Sequence, residues 1–298
     1  MYDICCIGHI TLDKVVTPQQ VTYMPGGTSF YFSNAIRNMD LKYVLITALG
    51  QEEMNIVSGL RARGIEVRAM PSGHTVYFEN IYTDNLDHRT QRVTQKADAF
   101  TAEQMLPVQA KIFHLGPLLA GDIPVDLIKT LSGKGIVSLD VQGYLRKVEN
   151  KNVCAIDWLA KQEVLQYVDI LKANESEMKV LTGHKDVRKS ARLLADWGVK
   201  EVVITLGSMG SVIFHKGVFY HIPAYKPATV IDTTGCGDTY MAGYLYQRIK
   251  GTGFQEAGEF AAAMATLKIE SSGPFTGTKN DVSGLLAAGK HRAGQFMP

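Results

Sequence analysis

Short, largely apolar runs recur along the chain at 4–10, 44–49, 111–115, 136–140, 170–173 and 202–206. Each is bounded by polar or turn-forming residues and is too short for a stable helix, so each reads as a strand. Between them lie segments patterned as helices, at 33–39, 55–63, 125–131, 155–167, 175–181 and 187–197. Gly64, Gly135, Gly183 and Gly198 stand where such helices should end, and glycine tolerates the left-handed C-cap. Strands that are apolar throughout, rather than alternating, are covered on both faces. Joined by helices, they predict an α/β fold around a mostly parallel sheet.

Two stretches break the pattern. Residues 14–23 are rich in Val and Thr, and 74–94 alternate as half-exposed strands do, around a polar turn. They predict a small β element projecting from the main sheet. A lid that excludes water and a decorative hairpin fit that pattern equally. His215-Lys216-Gly217-Val218 predicts a hairpin turn between two short strands.

Composition narrows the class. A chain of 298 residues with 46% hydrophobic and 20% charged residues is ordinary for a globular protein with a large core. A net charge of +2 gives no reason to expect nucleic acid or an anionic membrane as the main partner. The apolar run at 4–10 follows Asp3 and lacks a basic leader and a small-residue cleavage site, so it is not read as a signal peptide. No apolar run approaches the roughly 20 residues that span a bilayer. A cytoplasmic protein is expected. The four cysteines form no C-x-x-C pair, and Cys5 and Cys6 belong to the first strand, where burial is their expected role.

The strongest local signal is Asp232-Thr233-Thr234-Gly235-Cys236-Gly237-Asp238, which opens a helix with an apolar stripe at Met241, Tyr244, Leu245 and Ile249. Minimal side chains at 235–237 let the backbone approach a ligand closely. Successive N–H groups at a helix start make an anion hole suited to a phosphoryl group, and Asp238 beside it can take the proton of an attacking hydroxyl. In isolation, a G-x-G-D would as readily be a tight turn with an N-cap aspartate.

The segment 232–238 resembles the C-terminal signature of the ribokinase-like (PfkB) carbohydrate kinases, with Cys236 where Ala is usual. The resemblance extends over nearly the whole chain. Gly26-Gly27 before a helix is similar to that family's di-glycine hinge, and Asp13 to the acid that holds substrate hydroxyls. Asn174 and Glu177 resemble the N-x-x-E motif that organises magnesium and phosphate, and they would engage the ion through water because it dehydrates reluctantly. Thr205, Gly207 and Gly210 resemble the nucleotide-contacting turn. Asp232 and Thr234, with backbone near 271–273, resemble the monovalent-cation site, where potassium would bind. The resemblance implies a three-layer αβα sandwich with a small β lid. It implies one catalytic domain over 1–298, with a discontinuous lid from about 14–25 and 74–96. It implies ATP and Mg2+, a small polyhydroxylated substrate, and Asp238 as general base with the backbone of 235–238 as anion hole. ATP would lie near Thr205 and Gly207, its adenine toward 261–267. A homodimer through the lid is expected if the lid exposes an apolar face.

Two departures bear on the substrate. Tyr31 stands where sugar kinases of this family carry Asn, either to meet the substrate or to pack in the core. Asp140-Val141-Gln142-Gly143-Tyr144-Leu145-Arg146 replaces the usual D-x-N-x-R, and Gln142 and Arg146 are candidate substrate contacts at the C-terminal edge of the sheet. That form is similar to the inositol kinase branch and implies a cyclitol such as myo-inositol. A nucleoside kinase with an aromatic cage from Tyr77, Phe78 and Tyr82 is the competing enzyme, although Tyr77 and Phe78 should face opposite ways. A non-catalytic sugar-binding regulator is the competing class, opposed by Asp238. No G-x-G-x-x-G follows the first strand and no G-x-x-x-x-G-K-[ST] occurs, which excludes dinucleotide-binding and P-loop motifs.

Overall fold

The first strand, Tyr2–Ile7, is the pivot of the structure, a computed structural model that describes residues 1–82 and 89–289. The polar turn expected within 83–88 lies outside the described residues. In chain order the elements are β1 (Tyr2–Ile7), β2 (Thr11–Val16), β3 (Val21–Gly26), α1 (Thr28–Ile36), β4 (Tyr43–Leu49), α2 (Met54–Ala62) and β5 (Val67–Pro71). Next come β6 (Val76–Tyr82), β7 (Arg89–Gln95), α3 (Ala102–Met105), β8 (Ala110–Leu115), α4 (Val125–Ser132) and β9 (Ile136–Asp140). A turn over Val141–Leu145 leads to β10 (Arg146–Glu149), β11 (Asn152–Ala155), α5 (Lys161–Leu165), β12 (Ile170–Asn174), α6 (Glu175–Thr182) and α7 (Val187–Asp196). The last are β13 (Glu201–Thr205), β14 (Ser211–His215), β15 (Val218–Ile222), α8 (Cys236–Ile249), α9 (Phe254–Ile269) and α10 (Lys279–Ala287).

Nine strands form one sheet in the order β15-β14-β13-β12-β9-β8-β1-β4-β5. All neighbours from β13 to β5 are parallel, and β14 and β15 add an antiparallel edge. β1 shows why its sequence is apolar without alternation. Cys5 and Ile7 pack with Leu127, Leu131, Met178 and Leu194 on one face, and Ile4 and Cys6 with Phe32, Leu60, Tyr244 and Met264 on the other. The result is the expected three-layer αβα sandwich. Strand order reverses between β1 and β8, and ligands of open α/β sheets bind beyond the strand ends at such a switch point.

A second sheet, ordered β10-β11-β7-β6-β2-β3, projects from that edge. Its inner face sets Val76, Phe78 and Val93 on Leu118 and Leu119. Its outer face is not simply apolar: Lys14 and Arg92 both pair with Glu79, at 3.1 and 3.3 Å, with Tyr23 exposed beside them.

The hairpin β10–β11 adds a lid segment beyond those expected at 14–25 and 74–96. It also displaces the helix expected over 155–167, of which only α5 forms. The hairpin turns on Asn150 and Lys151, both at positive φ (48° and 67°), and its four-residue strands are too short and mixed to show a period. β5 also escaped the pattern, because Arg68 interrupts it. α1 begins at Thr28 rather than 33, and all nine of its residues are buried, so it has no polar face to reveal a helical period.

The Val141–Leu145 turn that launches the third hairpin rests on a bare backbone contact. A Cβ at Gly143 would lie 2.5 Å from the carbonyl of Pro117. Gly143→Ala should therefore lower unfolding free energy in urea by about 1–3 kcal/mol. Gly59→Ala, in the exposed interior of α2 with nothing within 4 Å, should raise it by roughly 0.5–1 kcal/mol.

Candidate active site

Lys172 is charged, lies in a central strand and is 5% exposed. Such a residue needs partners. Its Nζ donates to Asp140 Oδ2 at 2.9 Å, across the β9–β12 pair, and lies 3.7 Å from Glu177 Oε2 on α6. Burial works against its charge, but Asp140, Glu177 and, further off, Asp238 together hold its pKa above the ordinary value. The same ammonium backs the glycine turn: a Cβ at Gly237 would lie 3.1 Å from Lys172 Nζ.

Asn174 and Glu177 form a capping box at the start of α6. Asn174 Oδ1 accepts from Glu177 N at 2.9 Å, and Glu177 Oε2 from Asn174 N at 2.8 Å. Gln142 is tied to the same cluster, its N–H donating to Asp140 Oδ1 (3.0 Å) and its Nε2 to Glu177 Oε1 (3.3 Å). Gln142, Arg146, Asn174, Glu177 and Gln91 of the lid line a cavity of about 350 Å3. Thr205 is the register neighbour of Asn174. After it, Leu206 N–H donates to Gly210 O at 2.8 Å, with Gly207 and Gly210 both at positive φ (58° and 96°). Gly210 has no room for a side chain, since a Cβ would lie 2.1 Å from Ile222 O. Within 261–267, Ala261, Ala263 and Met264 are buried in the core and Thr266 Oγ1 donates to Ala262 O.

α8 starts from Gly235, left-handed at φ 74°, where a Cβ would lie 2.2 Å from the Tyr31 ring. Tyr31 is 3% exposed and meets Phe30 edge-on, so its ring is a buttress beneath the turn. Among the described residues, the N–H groups of Gly235, Gly237 and Asp238 find no acceptor, whereas that of Cys236 donates to Thr233 O at 3.3 Å. The expected anion hole at 235–238 is thus narrowed by one donor. The Cys236 thiol points to Ala265 O, and burial pushes its pKa up to about 11.

Asp238 lies in the first turn of α8. Burial raises its pKa, and the charge of Asp140 adds to the rise. Lys172 and a hydrogen bond from the Thr28 side chain pull the other way, and the balance stands at about 7. Asp13 lies over the di-glycine: Thr11 Oγ1 donates to its Oδ1 at 2.6 Å, and a Cβ at Gly26 would lie 2.6 Å from its Oδ2. Gly27, at φ 89°, passes so close that a Cβ would be 2.6 Å from His9 O. Burial raises the pKa of Tyr31, and the charges of Asp232, Asp13 and Asp238 add to the rise.

Asp232 closes the site behind the turn. Its Oδ1 accepts from Thr234 N (2.8 Å) and its Oδ2 from Gly273 N (3.2 Å). The centre of this expected monovalent-cation site is taken by Lys268, whose Nζ donates to Asp232 O, Asp232 Oδ2 and Ser271 O at 2.9, 3.1 and 3.4 Å. Burial pushes the Asp232 carboxyl up, but hydrogen bonds from Thr234 and Lys268 outweigh it and hold the group below the usual range.

Lys172, Thr28 and Lys268 were absent from the sequence-derived site. The signal for the two lysines was available: each interrupts an apolar element, and a buried lysine is rare unless paired. Nothing in the sequence marked Thr28. No cluster of three or more His, Cys, Asp or Glu placed to hold a metal exists among the described residues, nor any helix long and apolar enough to cross a membrane.

Comparison with known proteins agrees with this geometry. The chain is 30% identical over 272 residues to the cytidine kinase of Thermococcus kodakarensis, covering 86% of this chain and 92% of that protein. A pyrophosphate-dependent kinase in the ribokinase family, solved with a pyrophosphate analog and myo-inositol, matches with a TM-score of 0.84 at 30% identity, over 94% of this chain and 99% of that one. Arabidopsis thaliana ribokinase, solved with ribose and ATP, shares the fold with a TM-score of 0.79 at 22% identity, over 96% and 98% of the two chains. Enzymes of this family in general use ATP with Mg2+. The profile of the pfkB family carbohydrate kinases matches residues 1–280. The chain therefore belongs to the pfkB family of carbohydrate kinases, as a sugar or nucleoside kinase with the ribokinase fold.

Proposed function

We propose that this kinase phosphorylates a hydroxyl of a small polyol, with a cyclitol such as myo-inositol as the favoured acceptor and Asp238 as general base. The observation that supports it most is Asp238 itself, a carboxylate with a pKa near 7 beside free backbone donors at a helix N-terminus. A base is most useful when its pKa lies near the working pH.

In this reading the acceptor lies beneath the lid. Asp13 holds its hydroxyls over Gly26 and Gly27, and Gln142 and Arg146 close the cavity. Tyr31 acts on the substrate only through the shape it gives the turn. ATP lies along the edge at Thr205, Gly207 and Gly210. Asp238 takes the hydroxyl proton as the γ-phosphoryl group passes in line to the acceptor oxygen. The N–H groups of Gly235, Gly237 and Asp238 receive the charge on the transferring group. Asn174 and Glu177 fit magnesium held through water, since both carboxylate oxygens of Glu177 already have protein partners. When bound, the ion supplies charge neutralisation at the β- and γ-phosphates.

The lid favours a cyclitol over a nucleoside. Of the cage candidates, Phe78 faces the cleft, Tyr77 lies on the opposite face with Glu79, and the side chain of Tyr82 lies outside the described residues. The cytidine kinase likeness keeps nucleosides as the second acceptor class. Pyrophosphate is the second donor, supported by the myo-inositol-bound relative.

Product formation should be measured with ATP or pyrophosphate over cyclitols, pentoses, hexoses and nucleosides. Asp238→Asn is expected to cut turnover by roughly 100-fold or more with the fold intact. Near-normal turnover would remove Asp238 as the base, and a panel silent with both donors would favour the non-catalytic alternative. The wild-type kcat/KM should rise with pH as Asp238 loses its proton and level off above about 7.

Stability should carry the opposite sign. Because the folded pKa of Asp238 is raised, the stability it contributes is present in acid and is lost as pH rises through about 7. Melting curves should therefore show Asp238→Asn gaining on the wild type between pH 5 and pH 8.

A further inference from the structure

We propose that Lys268 is a built-in monovalent cation: its ammonium takes the place that potassium would fill beside Asp232, and the protein needs no alkali-metal ion. The side chain of Lys268 is fully buried. Its Nζ has three oxygen acceptors, namely the main-chain carbonyl of Asp232, the carboxylate of Asp232 and the main-chain carbonyl of Ser271. An ammonium has three donors and no acceptor, so these oxygens match it one for one. Carbonyl and carboxylate oxygens are also what a hard metal cation seeks. Here they converge on a nitrogen instead.

A metal ion among the same oxygens would sit against the ammonium. Two like charges at that range repel strongly wherever water is scarce. Asp232 is the carboxylate of the cage, and Lys268 already balances it. The residues expected to hold potassium therefore do not fit potassium while Lys268 is in place.

The tethered charge also has a structural task. Lys268 lies in the last turn of α9. Ile231 N and Asp232 N donate to Ile269 O at 2.8 and 3.3 Å, and Ser271 N donates to Lys268 O at 3.2 Å. The segment leading to Gly235 is thereby clamped to the end of α9 by main-chain bonds, with the ammonium at the centre. Two residues beyond Asp232, Thr234 gives way to the turn whose N–H groups form the proposed anion hole. Lys268 is in this sense a positioning residue: it holds the donors without touching the reacting atoms.

The test replaces every alkali ion in the buffer with tetramethylammonium and then adds potassium, ammonium or methylammonium. Wild-type turnover should change by no more than about twofold, the residual effect of ionic strength. Its melting temperature should be the same in potassium and tetramethylammonium at equal ionic strength. Lys268→Ala should lose at least about tenfold in turnover without the small cations, since the half-buried carboxylate of Asp232 is left without its counter-charge. Potassium, ammonium or methylammonium should restore it saturably and raise its melting temperature. Saturable potassium activation of the wild type, or a potassium-specific rise in its melting temperature, would overturn the proposal. So would a Lys268→Ala protein whose melting temperature ignores all three cations. If that variant does not fold, Lys268→Gln and the wild-type measurements decide. The turnover arm rests on the kinase reading. The melting arm does not, so failure of either idea is seen separately.

Discussion

Asp140, Glu177 and Asp238 crowd one edge of a sheet, and they can share it because Lys172 is buried among them. Like charges at close range in a poorly solvated place do not coexist without a counter-charge. Lys172 bonds Asp140 directly and Glu177 at longer range, which leaves Asp238 incompletely balanced. Burial lifts this carboxyl toward neutrality, and the incompletely balanced charge of Asp140 adds to the rise. The cluster also fixes geometry, since its members come from β9, β12, α6 and α8. Breaking such a buried group leaves an uncompensated charge, so the ends of four elements are held to one arrangement.

The other half of the site is set by absent side chains. Gly27 and Gly235 each take a left-handed conformation where a Cβ would strike a neighbour, His9 O in one case and the Tyr31 ring in the other. Tyr31 thus sets the turn before Asp238, and Gly26, next to Gly27, passes under Asp13. His9 is itself fixed, with Nε2 2.9 Å from Asp98 O and its ring stacked on Phe100. Backbone approaches backbone at Gly27 and an aromatic ring at Gly235.

Much of this was legible in the sequence. Most of the parallel strands announced themselves as largely apolar runs without alternation, because they are buried on both faces. The Gly235–Asp238 turn was legible because glycine at consecutive close approaches is hard to replace. What escaped was tertiary in origin. The β10–β11 hairpin is held by pairing with β7, a contact distant in sequence, rather than by its own residue pattern. Tyr31 read equally as a substrate contact or as core, and its placement depends on α8, some two hundred residues away. The two buried lysines were visible as interruptions of apolar elements, but their pairing was not, because Asp140 and Asp232 lie 32 and 36 residues from them.

The complete burial of α1 has a consequence for how the protein is made. Phe30, Tyr31, Phe32 and Ile36 share one core cluster with Tyr240, Tyr244 and Leu245 of α8. Synthesis runs from the N-terminus, so a nascent chain carries this helix long before its cover exists. Over that interval its apolar surface has only the first strands to lean on, and bringing the two helices together closes a very long loop. A chain stalled before α8 would thus present a greasy helix to its surroundings, and its fate would hinge on a chaperone rather than on its own core.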